Sequence, residues 1–220
     1  MSVWVKICAN TSLADVLLAA DAGADAVGFV LAPSPRRVTL EQVAAIAPHL
    51  PASIEKIGVF VGADFATIAS AVETAGLTGV QLHSGISSHV TASLRDRFGP
   101  GLRILHVIHF GADAQALMQT ASADKEIDGI LVDSRTTQAV GGTGVSFDWQ
   151  LARTAIFSSD RPIKLVAAGG LTPDNVARAI ATLNPWGVDV ASGVESSPGH
   201  KSAQKVREFV TNARAATAGV

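Results

Sequence analysis

The chain has 220 residues, 48% of them hydrophobic and 16% charged, with a formal net charge of -2. So much apolar surface on so few charges argues against disorder, and a weakly acidic balance without a basic run leaves no field to hold a nucleic-acid backbone. Asp15, Asp21 and Asp25 interrupt the richest apolar stretch, so no segment reaches the roughly 18 uncharged residues of a membrane span.

The chain opens directly into a strand pattern, without the layout of a signal peptide, and its single cysteine has no internal partner. Both features lead us to expect a cytoplasmic protein. The first strand is predicted over 3–8 and the first helix over 13–22, its start marked by Ser12 with Asp15 three places later. Strand 26–31 leads to helix 40–47 behind Thr39, strand 56–61 to helix 65–75, and strand 79–83 to helix 90–98. Strand 103–108 leads to helix 114–121, and strand 129–133 to helix 148–156. Strand 164–168 leads to helix 175–183, with Thr172-Pro173 setting a proline at a helix start, and strand 187–191 to helix 203–213.

Strands such as "AVGFVL" and "KLVAA" are nearly continuous apolar runs, which is how parallel strands buried on both faces read. Eight strand-helix pairs without a linker or composition break predict an α/β fold, a single-domain (β/α)₈ TIM barrel over 1–220. A doubly wound sheet would usually carry a glycine fingerprint at its first strand-helix turn, and "CANTSLAD" has no glycine.

In such barrels the active site lies where strands hand over to loops. The first strand ends at Cys8, and alternation puts Trp4, Lys6 and Cys8 on one face. A thiolate beside a cation is a useful base, whereas a lone cysteine read by itself is a small buried hydrophobe. After the second strand, "APSPRRV" stiffens a turn that raises Arg36 and Arg37 above the mouth, where a guanidinium can grip a carboxylate or simply face water. The fourth strand ends at His83. His106 and His109 are three apart on a strand and so face opposite ways, a poor metal pair, and no other metal-ligand spacing exists.

The sixth strand closes on Asp133, a general-acid candidate if its carboxyl lies against apolar walls and a turn residue otherwise. A glycine-bearing stretch over 137–144 follows, long enough to fold over a ligand. The last two strands run into "AAGGL" and "DVASGVE", whose glycines let backbone N–H groups approach a phosphate. The loops after strands seven and eight are the recurrent phosphate site of these barrels.

This constellation resembles the phosphoribosylanthranilate isomerase family of tryptophan biosynthesis through "KIC", "GFVLAPSPRRV", "VQLH", "LVDS", "GGTG", "AAGGLTPDNV" and "GVDVASGVESSPGHK", in family order from Lys6 to Lys201. The resemblance implies a cofactor-free (β/α)₈ barrel that converts N-(5'-phosphoribosyl)anthranilate to 1-(2-carboxyphenylamino)-1-deoxyribulose 5-phosphate by an Amadori rearrangement. By matching segment it implies Cys8 as general base and Asp133 as general acid, with Arg36 and His83 near the anthranilate. Gly169, Gly170, Ser192 and Gly193 would hold the phosphate, with Asp189 shaping the mouth between them. With Lys6 beside it, the Cys8 thiol is expected to titrate near working pH.

The chain departs from the family where "CANT" replaces a glycine after the cysteine, where Ser84-Gly85-Ile86 follows "VQLH", and where Ser202 replaces a common aspartate. A histidine-pathway aminoaldose isomerase is a rival reading, which the terminal Cys8 in place of aspartate disfavours. A non-catalytic binder of phosphorylated ligands on the same barrel is another. The expected partner is a small phosphorylated sugar-anthranilate, with no nucleic acid and no membrane, and the expected state is a monomer.

Overall fold

The computed structural model describes residues 2–83, 87–133, 148–157 and 163–216; the stretch 137–144 and positions 84–86, singled out in the sequence, lie outside them. Eight parallel strands close into a barrel in chain order: β1 (Trp4–Ile7), β2 (Ala26–Val30), β3 (Glu55–Phe60), β4 (Gly79–Leu82), β5 (Arg103–His109), β6 (Gly129–Asp133), β7 (Lys164–Ala168) and β8 (Gly187–Val190). The pairing of β8 with β1 closes it, which excludes the open doubly wound sheet. Helices α1 (Leu13–Asp21), α2 (Leu40–Ile46), α3 (Phe65–Ala75), α4 (Ser88–Phe98), α5 (Ala114–Ala123), α6 (Trp149–Ala152), α7 (Val176–Leu183) and α8 (Ala203–Ala215) connect the strands. The sixth helix, expected over 148–156, is one short α-turn that passes into a π-turn over Arg153–Phe157.

Strand alternation sorts the apolar residues into two groups. Trp4, Ala26, Ile57, Leu105, Val107, Leu131, Val166 and Ala168 fill the barrel. The opposite faces, including Val5, Phe29, Ile104, Ile130 and Val188, pack under the helices with Val16, Ile68, Leu94 and Phe209. Removing this surface from water is the main driving force that shapes the barrel. It also puts Lys6, fully buried, inside the barrel above Trp4.

Of the three helix starts marked in the sequence, one is built as expected and two depart from expectation. Thr39 makes a complete capping box with Gln42. Ser12 caps the Asp15 N–H as expected, but the Asp15 carboxylate does not return to the cap backbone. It accepts from the Ser12 hydroxyl (2.8 Å) and from the backbone N–H of Lys201 (3.1 Å), so it ties α1 to a distant segment. At α7 the proline is not the first helical residue. Asn175 accepts from the Thr172 N–H (2.8 Å) and donates to the Gly170 carbonyl (2.9 Å), closing a turn that delays the helix to Val176.

One element has no counterpart in the sequence reading. Between β8 and α8 the chain forms a 3₁₀ turn (Ser192–Val194) and an antiparallel pair, β9 (Glu195–Ser197) with β10 (His200–Lys201). This hairpin lies against the loop after β1, where the Thr11 hydroxyl donates to the Gly199 carbonyl.

Candidate active site

Every residue singled out at a strand end lies at the same end of the barrel. Cys8 directly follows β1, its N–H donating to the Val190 carbonyl of β8 (2.8 Å), and it is 6% exposed. Asp133 is the last residue of β6 and is 4% exposed, paired in register with His109 on one side and Ala168 on the other. His83 follows β4, with Nε2 3.2 Å from Gln81 Nε2 and its ring 6.1 Å from that of His109. His109 shares the interior parity of Leu105 and Val107, and His106 the outer parity of Ile104 and Ile108, so the two histidines face opposite ways as expected.

The two glycine pairs form one surface. Gly169 and Gly170 have φ of 80° and 65°, a left-handed pair that β-carbons would strain. A β-carbon on Gly193 would come 1.9 Å from the Leu171 carbonyl oxygen, so only glycine lets the loop after β8 lie against the loop after β7. Among the described residues, the N–H groups of Gly169, Gly170, Ser192 and Gly193 donate to no backbone carbonyl. Such groups suit an anion.

The thiol stands in a lattice of charges. Lys6 Nζ donates to Asp189 Oδ1 (2.9 Å) and Gln81 Oε1 (2.7 Å), all three inside the barrel. Gly28 of β2 makes room for this group, since a β-carbon there would meet Cys8 Sγ at 2.7 Å and Lys6 Cε at 3.0 Å. Burial pulls the Lys6 pKa down, but the Asp189 carboxylate and then Cys8 more than offset it, and the net shift is upward.

For Cys8 the balance runs the other way, and it corrects the expected titration near working pH. Burial pushes the thiol up, Asp189 adds to that, and Lys6 lowers it without overcoming them. The main reason is burial, which disfavours the thiolate, and the Asp189 carboxylate works in the same direction. The resting thiol is therefore protonated at neutral pH.

Arg36 lies in the loop after β2 and has a partner that the sequence did not suggest. Its Nε donates to both oxygens of Glu195 (2.8 and 3.0 Å) and its Nη2 to Oε2 (2.7 Å). Burial raises the Glu195 pKa, but Arg36 and Lys201 outweigh it and hold the carboxyl below its usual range. Asp189, expected to shape the mouth, instead spends its carboxylate on Lys6 deeper in the barrel. A cavity of about 460 Å³ lies between the loops after β2 and β3, beside Arg37 and Phe60, and none of the groups above lines it.

Residues 5–212 match the family model of N-(5'-phosphoribosyl)anthranilate isomerase. The chain belongs to that family. An N-(5'-phosphoribosyl)anthranilate isomerase of Pelobacter propionicus is 43% identical over 213 residues, spanning 96% of each chain. The phosphoribosyl anthranilate isomerase of Thermotoga maritima superposes with a TM-score of 0.86 at 35% identity, covering 97% of this chain and 99% of that one. A phosphoribosyl anthranilate isomerase structure in complex with reduced 1-(o-carboxyphenylamino)-1-deoxyribulose 5-phosphate superposes with a TM-score of 0.82 at 33% identity, covering 97% of this chain and 99% of that one.

Sequence reasoning missed Gly28, Gln81, Glu195 and Lys201 as parts of the site. Gln81 could have been found by parity, as the polar residue two before His83 on an otherwise apolar strand. Glu195 and Lys201 lie on a hairpin too short to show any periodicity.

Proposed function

We infer that this protein isomerises N-(5'-phosphoribosyl)anthranilate to 1-(2-carboxyphenylamino)-1-deoxyribulose 5-phosphate, with Cys8 as general base and Asp133 as general acid. One observation carries the assignment of roles. In the barrel order β6-β7-β8-β1, the two glycine loops lie between Asp133 and Cys8. A phosphate held by Gly169, Gly170, Ser192 and Gly193 therefore sets its ribose between a carboxyl and a thiol. Arg36 and His83 lie across the mouth, after β2 and β4, where the aromatic end would reach.

The proton inventory then balances. The Asp133 carboxyl gives its proton to the furanose ring oxygen as the bond to C1 breaks, leaving an iminium between C1 and the anthranilate nitrogen. The iminium acidifies C2, and the Cys8 thiolate removes that proton to give the enolamine. The Cys8 thiol then gives that proton to C1 while the C2 hydroxyl proton passes to the Asp133 carboxylate, which yields the ketone and restores thiolate and carboxyl. The thiolate itself forms beforehand, when the resting thiol loses its proton to solvent. Arg36 keeps Nη1 for the anthranilate carboxylate, because only Nε and Nη2 are engaged by Glu195 among the described residues. Fixing the ends of the substrate in this way brings both proton transfers within reach.

All these groups come from one barrel, which supports a working monomer with 1–220 as one domain. The unpaired thiol and the lack, among the described residues, of a helix long and apolar enough to cross a membrane support a cytoplasmic setting. The reading is tested by offering the purified protein the anthranilate compound and the histidine-pathway aminoaldose in parallel. Turnover of the first alone is expected. Turnover of the second alone, or tight binding of both without turnover, would overturn it.

A further inference from the structure

The chemistry just assigned asks Cys8 to become an anion where the fold has buried it, and the present inference rests on that assignment. Two lysines lie within electrostatic reach of the thiol, and they are not equivalent. Lys6 is well matched, by a carboxylate at 2.9 Å and an amide oxygen at 2.7 Å. Lys201 is not. It is 9% exposed, and among the described residues its Nζ reaches only the Ala191 carbonyl at 3.2 Å and Glu195 Oε1 at 3.3 Å, at or beyond the long end of hydrogen bonding. The same Glu195 carboxylate is already taken by three shorter bonds from Arg36.

A buried ammonium is costly unless it is paired. Burial here lowers the Lys201 pKa, and Glu195 and Cys8 oppose that without cancelling it. The fold nevertheless holds this cation firmly in place. The backbone N–H of Lys201 donates to Asp15 of α1 (3.1 Å), Ser202 N–H donates to the Val194 carbonyl (2.9 Å), and Lys205 Nζ donates to the Glu195 carbonyl (2.8 Å). Ala191, which anchors the ammonium, follows Val190, which anchors the Cys8 N–H. An underpaired cation is thus fixed at the same end of β8 as the group that must acquire negative charge.

We propose that Lys201 is a positioning residue for the base: its ammonium is the partner that the Cys8 thiolate gains when it forms, and the β9–β10 hairpin is the strap that keeps it there. The charged groups around the thiol are Lys6 from β1, Asp189 from β8, Lys201 from β10 and Arg36 from the loop after β2, with Glu195 of β9 and Asp15 of α1 behind them. Lys6 and Asp189 form one matched pair. Arg36 and Lys201 share one bonded carboxylate, and Asp15 bonds a backbone N–H and a hydroxyl rather than either cation, so Lys201 is the less tightly paired of the two lysines near the thiol.

The chain has one cysteine and no tyrosine, so the ultraviolet absorbance of a thiolate reports Cys8 alone. Wild type, K201M and K201R are titrated without substrate, with circular dichroism to follow folding over the same range. Removing an opposite charge at close range moves a midpoint by about 1–3 units, so K201M should titrate higher by at least about one unit and K201R close to wild type. At a fixed pH below the midpoint, kcat of K201M should fall about tenfold per unit of that shift, with KM little changed. Should K201M fail to fold, K201Q keeps a hydrogen-bonding tip and carries the same expectation. An unmoved midpoint overturns the proposal, and a raised KM with an unmoved midpoint would assign Lys201 to a substrate anion instead. A shifted thiol in a protein that turns over no anthranilate compound would leave the Lys201–Cys8 coupling standing and sink the isomerase roles alone.

Discussion

A single methyl group at Gly28 tests whether the placement of the thiol matters. The β-carbon of alanine would lie 2.7 Å from Cys8 Sγ, 3.0 Å from Lys6 Cε and 3.2 Å from Cys8 Cα. Comfortable contacts between such atoms begin near about 3.5 Å, so the overlap with sulfur approaches about 1 Å. The Cys8 backbone has little freedom to yield, because its N–H is bonded to Val190 and the following Asn10 N–H is bonded to Gly28 itself (3.0 Å). The thiol must therefore turn away or β1 must shift against β2. Overpacking of this kind costs about 1–3 kcal/mol of stability, and a displacement of about 1 Å at a reacting group costs about a hundredfold in turnover. The phosphate loops are on the other side of β1, so product-analogue affinity should hold while kcat falls. Chemical denaturation and steady-state kinetics on Gly28→Ala measure both quantities. Wild-type turnover together with wild-type stability would refute the claim that the thiol is positioned by this close approach.

Lys6→Met should destabilise the fold by about 3–5 kcal/mol, since it leaves the buried Asp189 carboxylate without its partner. Because the folded Lys6 pKa is raised above the ordinary 10.5, its stabilisation is complete below that value and is lost only as pH rises through the higher folded one. Denaturation curves of wild type and variant should keep a constant gap across neutral pH and converge only in strong alkali, and the Cys8 midpoint of the variant should rise. A gap that closes between mildly acid and neutral pH would contradict this. Gly193→Ala drives a methyl group into the Leu171 carbonyl, so a product analogue should bind at least about tenfold more weakly, measured by calorimetry. Unchanged affinity would remove that loop from the phosphate site. Ala9 holds φ of 61°, where glycine is free and alanine pays about 1–2 kcal/mol. In Ala9→Gly that relief is offset by a lost buried methyl group, about 0.8 kcal/mol, and by a freer unfolded chain, about 0.4–1 kcal/mol. The variant should thus stay within about 1 kcal/mol of wild type, and a thermal shift well beyond that would mean the loop is held differently.

What was legible in the sequence followed from periodicity and from strand ends. All eight barrel strands announced themselves because each is buried on both faces, and Cys8, His83, Asp133 and the two glycine loops were found by asking where those strands stop. Lys6 was placed beside Cys8 by alternation alone, and the structure brings the two together. The sign of the thiol shift was not legible, because it depends first on how completely the fold buries Cys8 and then on Asp189, 181 positions further along the chain. The partner of Arg36 was hidden for a related reason: Glu195 is 159 positions away on a two-stranded hairpin whose strands are too short to alternate visibly. Asp15 had the spacing of a capping box, yet the fold uses its carboxylate to hold that hairpin, a tertiary demand that local spacing does not encode. The departure at Ala9 was visible as a missing glycine, and the structure supplies its meaning as a left-handed residue. Asn10 braces that turn by donating from its side-chain nitrogen to the Ile7 carbonyl (2.8 Å).

The central claim is that one thiol and one carboxyl divide the proton transfers. The measurement that tests it most directly follows loss of freshly prepared N-(5'-phosphoribosyl)anthranilate by fluorescence with wild type, Cys8→Ser and Asp133→Asn. A positioned acid or base commonly contributes about 10²–10⁴-fold, so each variant should fall by at least about a hundredfold while retaining affinity for a product analogue. A Cys8→Ser or Asp133→Asn protein that keeps folding, binding and near wild-type turnover would contradict the account.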